Sequence, residues 1–322
     1  MNSLLVICKK ELKDFTRNRF FVVLFCFLAL IMVVSVAISS ADFRSKIADY
    51  NNYVAALKAS GNAILPQPQL FALQLLRGSI EYLELIGALF AIIIGYGMIA
   101  KEKQRGTLQL LFSRPLTKYS FAGGKILTLA IVWLVTIVAV FVVIVGSLLV
   151  IGNAPLHSVD LLRLGITAVL SWVYLLFWSC LAMGLASLSK RLSSALIIML
   201  VVWLVFVLIM PQIGDTMDPD NQVPGGLFKS LQVDKAHEQQ VISHFTGYET
   251  TRNYIEVTSI TKQYERPVFG YLGINDTYNQ KSVGFVTIGL WPNALWLFIG
   301  MVASLGFALW SGTKQKLLRK ES

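Results

Sequence analysis

The most restrictive feature of this 322-residue sequence is a series of long apolar stretches without Asp, Glu, Lys or Arg. A helix needs about 20 apolar residues to cross the roughly 30 Å hydrocarbon core of a bilayer, and it satisfies its backbone hydrogen bonds internally. We therefore predict an all-α polytopic membrane protein. Its six transmembrane helices are placed at about residues 20–41, 81–100, 126–152, 164–189, 192–210 and 291–312, the second extended beyond its charge-free part to include Glu81 and Glu84.

Composition agrees with this class and excludes others. Hydrophobic residues make up 55% of the chain and charged residues 14%, against about 25% charged in an average soluble domain. This balance argues against a disordered chain and against a soluble enzyme. The net charge of +10 would suggest a nucleic-acid partner in a soluble protein, so its distribution along the chain decides what it means.

The basic residues are concentrated on one side of the predicted spans. Six spans place four segments on the same face, and these hold 17 of the 28 lysines and arginines. Such an excess marks the cytoplasmic side. We therefore expect a multi-pass protein of the cell membrane with both termini cytoplasmic, in contact with membrane lipids and without a nucleic-acid partner.

The segments outside the spans are small on the cytoplasmic side and larger on the other. Residues 1–19 form a predicted interface helix, because Leu4, Cys8, Leu12 and Phe15 share one apolar stripe. Residues 101–125 form a loop, and residues 313–322 a basic tail. We expect helical outer loops at 42–80 and 211–290, with Pro211 ending the fifth span, Pro292 in the first turn of the sixth, and Pro267, Gly270 and Gly273 breaking the second outer loop.

Ionisable residues at membrane depth are candidates for function. Glu81 and Glu84, at the outer start of the second span, are a possible outer gate or pathway; the alternative is that they complement the dipole of the helix amino terminus. Three outer histidines lack a supporting carboxylate pattern, so we expect no metal site.

The loop 101–125 is the most informative stretch. It contains Glu102, then Gly106-Thr107, then a short predicted helix whose apolar face is Leu108, Leu111 and Phe112. Thr107 is suited to cap this helix, and Pro115 to end it. An apolar face on a short helix between two spans is expected to be exposed and to bind a protein partner.

This pattern resembles the membrane subunits of ABC-2 type transporters. The likeness includes Glu102, Gly106-Thr107, the apolar helix with Pro115 after it, Gly124-Lys125, the Lys10-Glu11 pair before the first span and the six-span layout. It implies that the loop is a coupling helix that binds a separate ATPase subunit, with contacts also from the amino-terminal helix. It assigns ATPase coupling to Glu102, Gly106, Thr107, Leu108, Leu111 and Phe112.

The chain itself lacks the phosphate-binding sequence G-x-x-x-x-G-K-[ST]. Gly124-Lys125 is followed by Ile126, and Tyr119 occupies the position of the first glycine. We therefore expect no enzyme activity and no cofactor in this chain, with ATP and Mg²⁺ bound by the ATPase.

The resemblance implies two ATPase copies working with a homodimer or heterodimer of permeases, whose first, second and fifth spans meet at the subunit interface. The function it implies is export of an unidentified amphipathic substrate. The alternative is a mechanical transmitter that drives an extracytoplasmic maturation or assembly partner. The lack of paired catalytic groups or buried ion-coupling charges in the spans argues against an intramembrane enzyme and a secondary transporter.

Overall fold

A computed structural model describes residues 3–60, 71–108, 112–113, 117–152, 156–217, 237, 246–275 and 277–317. This part of the chain is helical and contains no β-strand. Its principal helices are α1 Ser3–Arg17, α2 Arg19–Ser60, α3 Ala72–Gln104, α4 Ser120–Val150, α5 Ser158–Leu188, α6 Leu192–Gly214, α7 Thr246–Thr258, α8 Ile260–Tyr271, α9 Val283–Ser311 and α10 Lys314–Leu317.

Six of these helices are long and apolar enough to cross a membrane: α2, α3, α4, α5, α6 and α9. The predicted all-α, six-span fold is therefore confirmed. The chain is a multi-pass membrane protein in which α1, α7, α8 and α10 lie outside the six candidate spans.

Several helices are longer than the sequence pattern predicts. The 42 residues of α2 correspond to roughly 63 Å at 1.5 Å per residue, so the first span continues without a break into the predicted outer helix. Pro211 does not end the fifth span, because it lies inside α6, which continues to Gly214. Pro292 lies inside α9, which begins at Val283 rather than near residue 291.

The helices α7 and α8 lie within the second predicted outer loop, of which residues 211–217, 237, 246–275 and 277–290 are described. Pro267 and Gly270 lie inside α8 instead of breaking it, whereas Gly273 follows its end with a φ of +67°. The helix α8 packs against α5 and α9. Its Tyr264 is fully buried, stacks on Tyr174 of α5 with 4.4 Å between ring centroids, and shares a hydrogen bond with Ser171.

The centre of the bundle is made by α3 and α5, which have the most buried apolar segments of the six spans. A chain of buried hydrogen bonds ties them to α4. Trp133 Nε1 of α4 donates to Ser179 Oγ of α5 at 2.7 Å, and Ser179 Oγ donates to the Ala91 carbonyl of α3 at 3.0 Å. These bonds satisfy polar groups that burial would otherwise leave unpaired.

The helices α2, α6 and α9 lie at the periphery and expose apolar side chains. Leu30 of α2, Ile197 of α6 and Ile288 of α9 are 61%, 61% and 78% exposed in the isolated chain. In a membrane protein such surfaces face lipid or another subunit.

The first and last described helices, α1 and α10, meet the segment between α3 and α4 at one end of the bundle, which we name the terminal end. Ser3 of α1 donates a hydrogen bond to Ser120 of α4. Lys314 of α10 donates to the Phe112 carbonyl at 3.2 Å. At this end, α1 and α10 therefore lie beside the loop that was predicted to couple the chain to an ATPase.

A buried charge cluster at the terminal end

The functional candidate with the most distinctive geometry is a group of ion-paired side chains beneath α1. Glu11 is 1% exposed, and Lys125, near the start of α4, is fully buried. Lys125 Nζ donates to Glu11 Oε1 at 2.7 Å and to the Met98 carbonyl of α3 at 2.8 Å. One ammonium group thus joins α1, α3 and α4.

A second carboxylate extends the group to the end of α3. Glu102 is 4% exposed and accepts a hydrogen bond from Lys10 of α1 at 2.7 Å. It lies 3.7 Å from Lys125 Nζ and also accepts from the Thr107 hydroxyl. Lys101, one residue earlier, donates to Glu11 and contacts Asp14 at 3.3 Å.

We name these six side chains the charge cluster: Lys10, Glu11, Asp14, Lys101, Glu102 and Lys125. It has three cationic and three anionic residues and no net formal charge. Burying charges is costly unless they are paired and hydrogen-bonded, so loss of one partner at the centre is expected to cost several kcal/mol. The cluster is therefore a specific connection between three helices.

Electrostatics holds Lys10 and Glu11 of the cluster in their charged forms. Burial acts to raise the pKa of Glu11, but the Lys125 charge and hydrogen bonds from Lys101 and Lys125 outweigh it and lower that pKa. Burial acts to lower the pKa of Lys10, but the hydrogen bond to Glu102 and nearby carboxylates raise it. Both residues therefore carry their charges at neutral pH.

The Gly106-Thr107 pair ends α3 in a Schellman motif. The Gly106 N–H donates to the Lys103 carbonyl at 3.2 Å, and the Thr107 N–H donates to the Glu102 carbonyl at 3.3 Å. Gly106 has a φ of +64°, a conformation that favours glycine. The Thr107 hydroxyl hydrogen-bonds to the carbonyl and the carboxylate of Glu102, so Thr107 closes the end of α3.

The Gly124-Lys125 pair allows α1 to approach α4 closely. A Cβ atom at Gly124 would lie 2.9 Å from the Ile7 Cβ and 2.9 Å from the Leu4 carbonyl oxygen. The helix α1 therefore packs on α4 through Leu4, Ile7 and Cys8. The apolar stripe predicted to lie on the membrane surface is thus partly buried against protein, while Leu5, 54% exposed, is on the free side.

The apolar face of the loop is not exposed as the sequence suggested. Leu108 is 7% and Phe112 8% exposed, and both belong to the main hydrophobic core. Phe112 packs on Phe121 of α4 with 5.3 Å between ring centroids. The expectation that this pair presents a free surface is therefore wrong. Leu111 and Pro115 lie outside the described residues.

Sequence reasoning also missed the role of Lys103. Its Nζ donates to the carbonyls of Ala186, Ser187 and Ser189 at 2.8 to 2.9 Å. These carbonyls lie at the carboxyl end of α5, where backbone acceptors lack partners within the helix and cations are favoured. Lys103 thus connects the end of α5 to the end of α3, and its ammonium group binds backbone carbonyls of the same chain.

The two glutamates of the predicted outer gate have different surroundings. Glu81 is 46% exposed at its side chain and pairs with Arg77 at 2.9 Å. Glu84 is 7% exposed, and its backbone carbonyl accepts a hydrogen bond from the buried Tyr174 at 3.1 Å. The helical run begins at Ala72, so neither residue lies in its first turn, where the dipole acts.

Comparison with known proteins identifies the family of the chain. The chain matches no curated protein. The sequence profile described as "ABC-2 family transporter protein" matches residues 5–317, which is nearly the whole chain and includes every member of the charge cluster. Permeases of this family are generally non-enzymatic and typically work with a separate ATPase subunit. The chain therefore belongs to the ABC-2 family of transporter proteins.

Proposed function

We propose that this chain is the permease subunit of an exporter in the cell membrane, with both termini in the cytoplasm. A separate ATPase, present in two copies, binds ATP and Mg²⁺ at the terminal end of a permease dimer. The conformational change driven by ATP is transmitted to the spans and moves an amphipathic substrate outward. Family membership and the concentration of lysine and arginine at the terminal end support this orientation.

The observation that carries the proposal is the charge cluster. A force applied to the loop at Gly106 and Thr107 acts on the end of α3 through the Schellman motif. From Glu102 it reaches α1 and α4 through Lys10 and Lys125. Because the link to α1 and α4 consists of ion pairs with the buried Glu102 and Lys125 side chains, the loop, α1 and α4 are expected to move together when an ATPase binds and releases ATP.

The buried positions of Leu108 and Phe112 change which residues are expected to touch the ATPase. These side chains support the loop from within, so exposed groups must make the direct contact. Gln104, Arg105 and Gly106 are exposed at the turn that ends α3 and begins the loop, and we name this turn the loop tip. We assign direct contact to this tip and a positioning role to Glu102, Thr107, Leu108 and Phe112; Leu111 keeps the docking role that the resemblance implies.

The experiment is co-purification of the tagged chain with its ATPase subunit from native membranes in mild detergent. Arg105→Glu reverses an exposed charge at the loop tip and is expected to lower ATPase recovery at least fivefold. Tyr254→Glu, at a residue that is 71% exposed on α7, is the matched control and should recover the ATPase fully. Unchanged recovery with Arg105→Glu would contradict docking at the tip.

Transport is tested separately, in a reconstituted complex. Amphipathic lipids, peptides and drugs are screened for stimulation of ATP hydrolysis and for ATP-dependent movement across the membrane. Export predicts that at least one compound does both. Hydrolysis that responds only to an extracytoplasmic partner, with no compound moved, would replace export by mechanical transmission.

A further inference from the structure

A polar cavity of about 570 Å³ lies at the opposite end of the protein from the charge cluster, between α7, α8 and the first third of α9. Its volume is typical of sites that bind small molecules. Its lining combines charged side chains, asparagine amides and two aromatic rings. None of these residues takes part in the proposed coupling to an ATPase.

The charged residues of the cavity are paired with one another. Glu256, with 6% of its side chain exposed, is held by Arg252 at 3.1 Å and by Arg266. Lys262 pairs with Glu265 at 2.9 Å. Burial acts to raise the pKa of Glu256, but hydrogen bonding and the charge of Arg266 outweigh it and lower that pKa. The three cations and two carboxylates therefore largely neutralise each other.

Asparagine amides add neutral hydrogen-bonding groups to this lining. Asn253 Oδ1 accepts from both terminal nitrogens of Arg266, at 3.0 and 3.1 Å. Asn293 Nδ2 donates to Gln263 at 2.8 Å, and Asn275 also lines the cavity. Each amide has both donor and acceptor atoms, so these contacts leave part of its hydrogen-bonding capacity for a ligand.

Two aromatic side chains, Phe269 and Tyr278, also line the cavity. Tyr278 lies over Gly289 of α9, where a Cβ atom would be 2.7 Å from the Tyr278 hydroxyl. The absence of a side chain at Gly289 therefore leaves space for the ring. Aromatic rings offer flat apolar surfaces beside the polar groups.

From this combination we propose that the cavity binds a neutral polyhydroxylated ligand, such as a sugar residue of a glycan or glycolipid. A charged ligand would have to compete with ion pairs that already exist. A hydroxyl group both donates and accepts, so a neutral polyol can accept from arginine and donate to carboxylate or amide oxygens without breaking those pairs. The C–H faces of a sugar ring are apolar and can pack against aromatic side chains such as Phe269 and Tyr278.

The test is saturation-transfer NMR on the full chain in phosphatidylcholine nanodiscs, prepared without sugar-based detergent. The probes are maltotriose, cellotriose and chitotriose. At least one is expected to give a signal from its ring protons that falls at least fivefold in Thr277→Trp, which places a large side chain at an exposed residue of the cavity lining. Tyr254→Trp, next to the cavity but not lining it, is the control and should leave the signal unchanged.

A second variant keeps the test decisive if Thr277→Trp fails to fold. Asn253→Leu removes an amide from an exposed position on α7, and it should also lower the signal. The proposal is overturned if no trisaccharide gives a signal, if the signal survives in the folded variants, or if glucuronate or glucosamine binds more tightly than every neutral sugar. Nanodiscs that contain diglucosyldiacylglycerol then show whether the sugar comes from a lipid head group or from a soluble glycan. A reduced maltotriose signal indicates a lipid head group, and an unchanged signal indicates a soluble sugar.

Discussion

Replacing Lys125 by methionine should release α1 from the bundle without unfolding the spans. The substitution keeps the apolar stem and removes an ammonium group that is fully buried and holds Glu11 at 2.7 Å. Truncating one partner of a buried ion pair costs about 3–5 kcal/mol. Because Glu11 keeps its contact with Lys101, we expect the lower end, about 3 kcal/mol, which is roughly a hundredfold change in the equilibrium for opening α1.

The assay is amide hydrogen exchange of residues 3–17 in nanodiscs, since exchange reports local opening free energies. Lys125→Met should speed exchange throughout α1, while Lys9→Met, at an exposed lysine on the same helix, should not. The double variant Glu11→Leu/Lys125→Met removes both central charges. It should cost about 1–3 kcal/mol less than the sum of the single changes. Equal exchange in Lys125→Met and Lys9→Met would refute the structural role of the cluster.

Three further predictions concern the turn, the pH dependence and the core. Gly106→Ala should destabilise the protein by about 1 kcal/mol because the φ of Gly106 is +64°, whereas Gly97→Ala, at a helical position with space for a Cβ atom, should not. Equal melting temperatures for the two variants would contradict the turn assignment. The pKa of Glu11 is lowered on folding, so its stabilising contribution is complete at pH values above the ordinary pKa of 4.5 and is lost as the pH falls through the folded pKa. Glu11→Gln should therefore weaken the fall of the melting temperature in acid, and an unchanged pH dependence of the melting temperature would contradict this reasoning. Trp133→Phe should cost about 1–2 kcal/mol through its lost hydrogen bond to Ser179, and Trp310→Phe, at a 51% exposed residue, should cost little; the reverse order would contradict the core assignment.

The sequence predicted the spans well because their signal is local. A stretch of apolar residues without charge is sufficient to indicate a membrane helix, whatever lies beside it. Helix ends were harder to predict. Pro211 and Pro292 are ordinary helix-ending and helix-starting signals, yet both lie within helical structure here. Local propensity does not report the tertiary packing that extends a helix past a proline.

The charge cluster depends on contacts between residues far apart in the sequence. Glu11 is separated from Lys101 by 90 positions and from Lys125 by 114. The distribution of lysines along the sequence predicted the side of the membrane on which they lie. It did not indicate that the side chains of Lys103 and Lys125 point into the protein. One local signal was present: Glu11 follows Leu4 and Cys8 at helical spacing, and a carboxylate within an apolar stripe indicates a buried partner.

The most direct test of the proposed function is site-specific photocrosslinking in the assembled complex. A benzoylphenylalanine is placed at Arg105, on the exposed tip of the loop at the terminal end, or at Tyr254, on α7 at the opposite end. If the terminal end couples this permease to ATP hydrolysis, the ATPase subunit crosslinks at residue 105 and not at residue 254. Crosslinking at residue 254 alone, or equally at both positions, would contradict the proposed docking and the cytoplasmic placement of the termini.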